Sequence, residues 1–292
     1  MKKFFVVLAT VLISCIFASS VFAAADIVFL VDESGSMSTE HAWLDGMVTS
    51  MNTELAALGE TDVTYSLVGF GNAYYGTYQV PHTLLDTGTV GEFTTATDSL
   101  QVYGGFEDGY AAIDYSLNNL NFTAGAAMNF ILITDEDRDV TPIAPYTGIT
   151  YASILEDLTD ANALLNVVVD GTFSFEGQPL VGTGDEGYVA DGLGGYTTTG
   201  AADSLSGYGT TITDYANLAL ATGGAAWDLN QLRAGGLTAE SFTNAFVASK
   251  LRKYKSNKSQ SLNHLLGYFW VPVSLVCHGT EEENQLKPFL NT

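Results

Sequence analysis

Two uninterrupted apolar runs, each ending in carboxylates, limit what this chain can fold into more than any other feature. Ile27-Val28-Phe29-Leu30-Val31 leads into Asp32-Glu33-Ser34-Gly35-Ser36, and Met128 to Thr134 (MNFILIT) leads into Asp135-Glu136-Asp137. A strand wetted on one side alternates apolar and polar residues, whereas a strand without alternation is covered on both faces. Such strands line the interior of parallel sheets, and parallel neighbours need long crossovers, usually helices. Residues 40 to 58 meet that need, with Trp43, Leu44, Met47, Met51, Leu55 and Leu58 at helical spacing.

The same rhythm continues along the chain. Helical patterns are expected at 90–101, 108–120, 151–164, 211–221 and about 239–251, and strand-like stretches at 64–70, 166–170 and 225–229. A Tyr-rich edge strand is expected near 74–80, ended by Pro81. Residues 171–210 break the pattern, being rich in Gly, Thr and Tyr without helical periodicity. A structureless loop of that length is uncommon in a compact domain, so short β-hairpins are expected there, as an insertion decorating the core. The predicted class is α/β, a mostly parallel sheet flanked by helices. In such sheets ligands bind beyond the carboxyl ends of the strands, where Asp32 and Asp135 fall.

Charge narrows the partners. The whole chain carries 33 acids and 10 basic residues, yet between residues 24 and 249 only Arg138 and Arg233 face 30 acids, a net charge of −28. A polyanionic surface repels phosphate, which excludes nucleic acid and disfavours anionic membrane surfaces. The two cysteines, Cys15 and Cys277, lie outside this acidic body. An exported body without disulfides is held by its core or by metal.

The two ends read differently. Residues 1–23 join Lys2-Lys3 to an apolar stretch and a Val21-Phe22-Ala23 cleavage pattern, as in a secretory signal peptide. Leu12-Ile13-Ser14-Cys15 also resembles a bacterial lipobox, which leaves acylation at Cys15, and with it membrane association, open. From residue 251 the composition turns mixed and atypical. The apolar run Leu265–Cys277 is 13 residues long, short of the ~20 needed to span a bilayer. Basic residues precede that run and Glu281-Glu282-Glu283 follows it, the reverse of a stop-transfer pattern. The expectation for 251–292 is a disordered, degraded or frame-shifted remnant of a sorting segment.

Asp32, Ser34 and Ser36 carry the chemistry. Alternate residues in an extended turn aim three oxygens at one point, and a hard divalent cation takes oxygen ligands. Asp-x-Ser-x-Ser alone also makes ordinary turns; its place after a buried strand is what gives it weight. With Gly104-Gly105-Phe106-Glu107-Asp108-Gly109 and Phe130-Ile131-Leu132-Ile133-Thr134-Asp135, in that order, residues 25–250 resemble a von Willebrand factor type A domain with its metal-ion-dependent adhesion site. The resemblance implies a Rossmann-like fold and one Mg2+ or Ca2+ ion held by Asp32, Ser34, Ser36, Glu107 and Asp135, the last directly or through water. Glu107 stands where many members have a metal-binding Thr, with Asp108 as the adjacent alternative; integrin β-type members use a carboxylate there. Glu33, Asp108, Glu136 and Asp137 are candidates for a supporting role around the ligands. Thr134 to Asp139, the Gly-Tyr-rich insertion and Ala221-Thr222-Gly223-Gly224 resemble secreted bacterial members often found with a PEP-CTERM sorting tail.

No H-E-x-x-H, G-x-S-x-G, phosphate-binding or dinucleotide motif is visible, and His41 and His82 read as surface or edge residues. The expected function is therefore non-catalytic: an exported, extracytoplasmic bacterial adhesion module that binds an acidic group of a protein partner through the cation. The alternative is an acidic, calcium-binding structural or matrix component of the envelope without one defined partner.

Overall fold

A computed structural model describes residues 24–73 and 80–250. The expected signal peptide, Cys15, the 251–292 tail and nearly all of the edge strand expected at 74–80 lie outside the described residues.

The first apolar run forms β1 (Ala25–Asp32), and all eight of its residues are buried. A 3-10 turn at Gly35–Met37 leads into α1 (Ser38–Ala57), and then come β2 (Val63–Phe70), β3 (His82–Gly88), α2 (Val90–Thr97) and α3 (Gly109–Asn119). The second apolar run is β4 (Ala127–Ile133), followed by α4 (Tyr151–Asp160) and β5 (Ala163–Val169). Six short strands follow: β6 (Gly171–Phe175), β7 (Gln178–Leu180), β8 (Gly182–Thr183), β9 (Gly187–Ala190), β10 (Tyr196–Thr199) and β11 (Ser204–Gly207). A π turn at Ile212–Ala216 runs into α5 (Asn217–Ala221); β12 (Ala225–Asp228), α6 (Leu229–Arg233) and α7 (236–250) complete the described chain.

The main sheet has nine strands in the order β10-β9-β8-β12-β5-β4-β1-β2-β3. Its core, β12-β5-β4-β1-β2, is parallel, while β3 joins β2 and β8 joins β12 antiparallel. The pleat of β1 explains the absence of alternation in its sequence. Ile27, Phe29 and Val31 face a core formed with Met47, Met51 and Leu55 of α1, Phe93 of α2 and Phe242 and Phe246 of α7. Val28 and Leu30 face the opposite core, with Tyr110 and Ile113 of α3, Ile154 and Leu158 of α4 and Leu218 of α5. Helices therefore cover both faces, the arrangement a fully apolar strand requires. Among the described residues no helix is long and apolar enough to cross a membrane.

Several boundaries differ from the expected ones, each for a local reason. The helix expected to reach 164 stops at Asp160, because Asn162 adopts a left-handed conformation (φ 52°) and β5 begins at Ala163. A strand the sequence did not announce, β3, begins at His82 directly after Pro81, since a proline lacks a donor and sits at a strand's start more readily than inside. Leu229 belongs to a helix and not to the preceding strand, because the Asp228 carboxylate caps α6 by accepting from the Asn230 amide at 2.9 Å.

The insertion is more than a decoration. β6, β7 and β11 form a separate three-stranded sheet, but β8, β9 and β10 extend the main sheet beyond β12. Tyr188 of β9 stacks on Trp227 of β12 at 5.1 Å between ring centroids, and Phe246 of α7 meets the same indole edge-on at 5.1 Å. Gly182 lets the backbone of β8 lie flat on that ring: a Cβ there would come within 2.3 Å of Trp227. Trp227→Ala should lower unfolding free energy by about 3–5 kcal/mol, and Gly182→Ala by about 1–3 kcal/mol through overpacking, read from urea denaturation. Full stability in Gly182→Ala would mean that the insertion sits loosely on the sheet.

Candidate metal centre

The strand order reverses at β1. The chain runs from β1 outward to β2 and β3, then returns to β4 on the other side of β1. Crossovers leaving in opposite directions open a crevice at the carboxyl ends of the two strands. In register, Val31 of β1 pairs with Ile133 of β4, so Asp32 and the Thr134-Asp135 pair emerge side by side at that crevice.

Asp32 is fully buried. Its Oδ1 accepts the Ser34 amide at 2.8 Å, which folds the following turn back over it, and its Oδ2 accepts the Thr134 hydroxyl at 2.8 Å. The Ser34 and Ser36 hydroxyls lie 3.0 Å apart, and Ser36 Oγ donates to Asp135 Oδ1 at 2.9 Å. Glu107 enters from the loop before α3; its carboxyl group faces that of Asp32 and accepts from Thr134 Oγ1 at 3.4 Å. One carboxylate oxygen from each of Asp32, Glu107 and Asp135 falls within 4.8 Å of the other two. The five residues singled out as ligands, Asp32, Ser34, Ser36, Glu107 and Asp135, thus meet at one place. Gly71 (φ +82°) closes the wall, where a Cβ would stand 2.4 Å from Asp32 Oδ1.

The electrostatics of this cluster follow from burial. Removal from water pushes both the Asp32 and Glu107 carboxyls upward, and the Asp32 charge raises Glu107 further. Two buried carboxyls facing each other in such a place do not both ionise readily without a positive charge between them. A proton supplies it at low pH, and a divalent cation would supply it at neutral pH. The donor set consists only of carboxylate and hydroxyl oxygens, without nitrogen or sulfur, and so fits a hard cation such as Mg2+ or Ca2+.

The supporting residues take different places from those expected. Glu33 follows Asp32 by one step of the pleat and points to the other face of β1. It accepts from Asn72 Nδ2 at 2.9 Å and from the Gln101 amide at 2.8 Å, with His82 Nε2 at 3.5 Å. Burial pushes its carboxyl up to about 7 against the Gln101 bond. Asp108 turns away from the cluster to cap α3, pairs with Arg138 Nε at 2.8 Å and accepts the Thr141 amide at 2.8 Å. Of these two neighbours, Glu107 faces the site and Asp108 anchors its loop. Glu136 is exposed, and Asp137 accepts the Thr210 amide at 3.1 Å, tying down the end of the insertion.

Four residues near the site escaped sequence reasoning. Thr134 bridges Asp32 and Glu107. His41 of α1, read above as a surface residue, donates from Nε2 to the Asp32 carbonyl at 2.8 Å. Arg233 of α6 reaches Asp135 Oδ2 with Nη2 at 2.8 Å and buried Glu40 with Nε at 2.5 Å. The rarity of arginine in the body was the one available signal for Arg233.

Fold and site together define an α/β protein with an oxygen-rich cluster, able to hold a cation, at the switch point of its sheet. No family model and no curated protein matches the chain. Among solved structures, two forms of the pilus adhesin SpaC from Lactobacillus rhamnosus GG align at 16% and 17% identity with TM-scores of 0.38 and 0.36. Each alignment takes in 50% of this chain and 24% of the adhesin, so the matched part spans about a quarter of that protein. Likeness at that level leaves function to be argued from the site.

Because Asp32, Glu107 and Glu33 are all raised, the folded metal-free protein keeps protons that the unfolded chain releases above about pH 4.5. Stability should then fall as pH rises from 5 to 8 in EDTA. His82, lowered by burial, works in the opposite sense, while Asp228, pushed up to about 6 by burial, adds to the fall. Millimolar Ca2+ or Mg2+ should flatten the slope. Thermal melts at pH 5, 6.5 and 8 check this, and parallel slopes with and without cation would sink it.

Proposed function

We propose that this chain is a von Willebrand factor type A module, exported and bacterial, that binds a protein partner through one divalent cation. Asp32, Ser34, Ser36 and Glu107 hold Mg2+ or Ca2+, with Asp135 joining directly or through water, and the cation takes an acidic group of the partner. The observation that carries this reading is the meeting of three carboxylates within 4.8 Å at the switch point of the sheet. The order of the three motifs and the antiparallel edge strand β3 beside a parallel core support the family assignment.

The charge of the body favours a role for the cation as a switch. A body of net charge −28 repels a partner's carboxylate except where a dication reverses the local sign. Three carboxylates on one dication bind it firmly and leave a modest pull on the incoming acid. A binding role is the reading adopted, because among the described residues the histidines nearest the cluster are already engaged. The His41 ring is spent on the Asp32 carbonyl, and His82 lies beside Glu33.

Titration calorimetry with Ca2+ and with Mg2+ should give one site, abolished by Asp32→Ala. Capture from envelope extracts should yield a partner that EDTA releases. If every captured protein ignores EDTA, the cation-bridged mechanism is wrong. Many weak sites that survive Asp32→Ala would point instead to an acidic calcium-binding structural component.

A further inference from the structure

The described residues include three basic side chains, and only one of them touches the carboxylate cluster. Arg138 has a side chain 7% exposed and is committed to Asp108. Lys250 lies near Ala25 and Asn129, at the amino ends of the strands. Arg233 reaches the site from α6, and its contacts are unlike those of a surface ion pair. Nε holds Glu40, while Nη2 holds Asp135 Oδ2 and lies 3.5 Å from the Ser36 carbonyl oxygen. Glu40 is 3% exposed and its Oε2 has no hydrogen-bond partner among the described residues. The guanidinium is therefore fastened on one side by a buried carboxylate that depends on it, and holds a candidate ligand with its other arm.

We propose that Arg233 is a built-in competitor for Asp135: a tethered monovalent cation that keeps this carboxylate from the divalent ion and thereby sets the affinity of the site. The inference rests on the reading of the cluster as a cation site. Its chemistry is asymmetric among the three acids. Asp32 and Glu107 have no basic partner among the described residues, so nothing but a proton competes with a metal for them. Asp135 is occupied on both oxygens, Oδ1 by the Ser36 hydroxyl and Oδ2 by Arg233. A carboxylate engaged by a charge-assisted hydrogen bond donates less to a metal, and the fixed guanidinium repels the dication as well. Arg233 is a positioning residue in this scheme, acting on the cation through Asp135.

Removing Arg233 alone would strand the buried Glu40 charge, so the variant of choice is Glu40→Gln combined with Arg233→Met. It deletes both charges together, leaves the net charge unchanged and keeps an alkyl stem in place. Calorimetry with Ca2+ alone and Mg2+ alone, on protein shown to be folded by circular dichroism, should show cation affinity raised about ten-fold. Asp135→Asn separates competition from a mere change of local field. It should cost at most about three-fold in the parent and about ten-fold or more in the paired variant. Equal costs in the two backgrounds would overturn the inference. Should the paired variant not fold, Arg233→Lys, which keeps the charge but cannot hold Glu40 and Asp135 in one fork, should raise the cost of Asp135→Asn in the same way. If Asp32→Ala leaves binding intact, the cation site itself is misread; if it abolishes binding while the Asp135→Asn costs match, only the role of Arg233 falls.

Discussion

The contact between the Asp32 and Glu107 carboxyls is the constraint around which the rest of the site is built. Two buried acids whose carboxylate oxygens lie within 4.8 Å of each other demand a positive charge from somewhere. Among the described residues no basic side chain reaches them. The protein brings neutral donors instead, the Ser34 amide and the Thr134 hydroxyl, which stabilise the pair without satisfying its charge. The pair can therefore exist in two chemical states, one sharing a proton and one ionised around a cation.

The sheet decides which acids take part. At two places a pair of adjacent carboxylates is divided between roles by geometry alone. The pleat sends Asp32 into the crevice and Glu33 to the opposite face, where it binds the loops carrying Asn72 and Gln101. At the start of α3, Asp108 is taken up by the helix cap and Arg138, which leaves Glu107 to face Asp32. Asp139 holds Glu107 in turn, through a reciprocal pair of backbone and side-chain bonds at 2.8 and 3.2 Å. A neighbour in sequence is thus a poor guide to a neighbour in the site unless the local backbone is known.

That division also explains what could be read from the sequence. The buried strands β1 and β4 were legible, because covering both faces removes alternation, and the carboxylates at their ends were legible because they follow those strands directly. Glu107 could be named only together with Asp108, since the choice between them depends on a cap and on Arg138, thirty residues downstream. The short strands β8 to β10 were invisible as members of the main sheet. Two to four residues carry no periodicity, and their placement is set by Trp227 packing against Tyr188 and Gly182. Arg233 was invisible for a related reason. It meets Asp135 across 98 positions of sequence and Glu40 across 193, and no local pattern records such a meeting.

The scarcity of basic residues turns out to carry positional information. Both arginines of the acidic body hold carboxylates at or next to the cluster, Arg233 on Asp135 and Arg138 on the acid adjoining Glu107. Most of the other acids remain at the surface, where salt screens them over a Debye length of about 8 Å at physiological ionic strength. The buried cluster is screened far less. On the proposed reading, rising salt would weaken the long-range repulsion that the coat exerts on an acidic partner, while the attraction of a cation held between Asp32 and Glu107 would persist at contact. A heavily acidic surface and the proposed recognition of acidic groups would be compatible on that basis, because the two forces act over different distances.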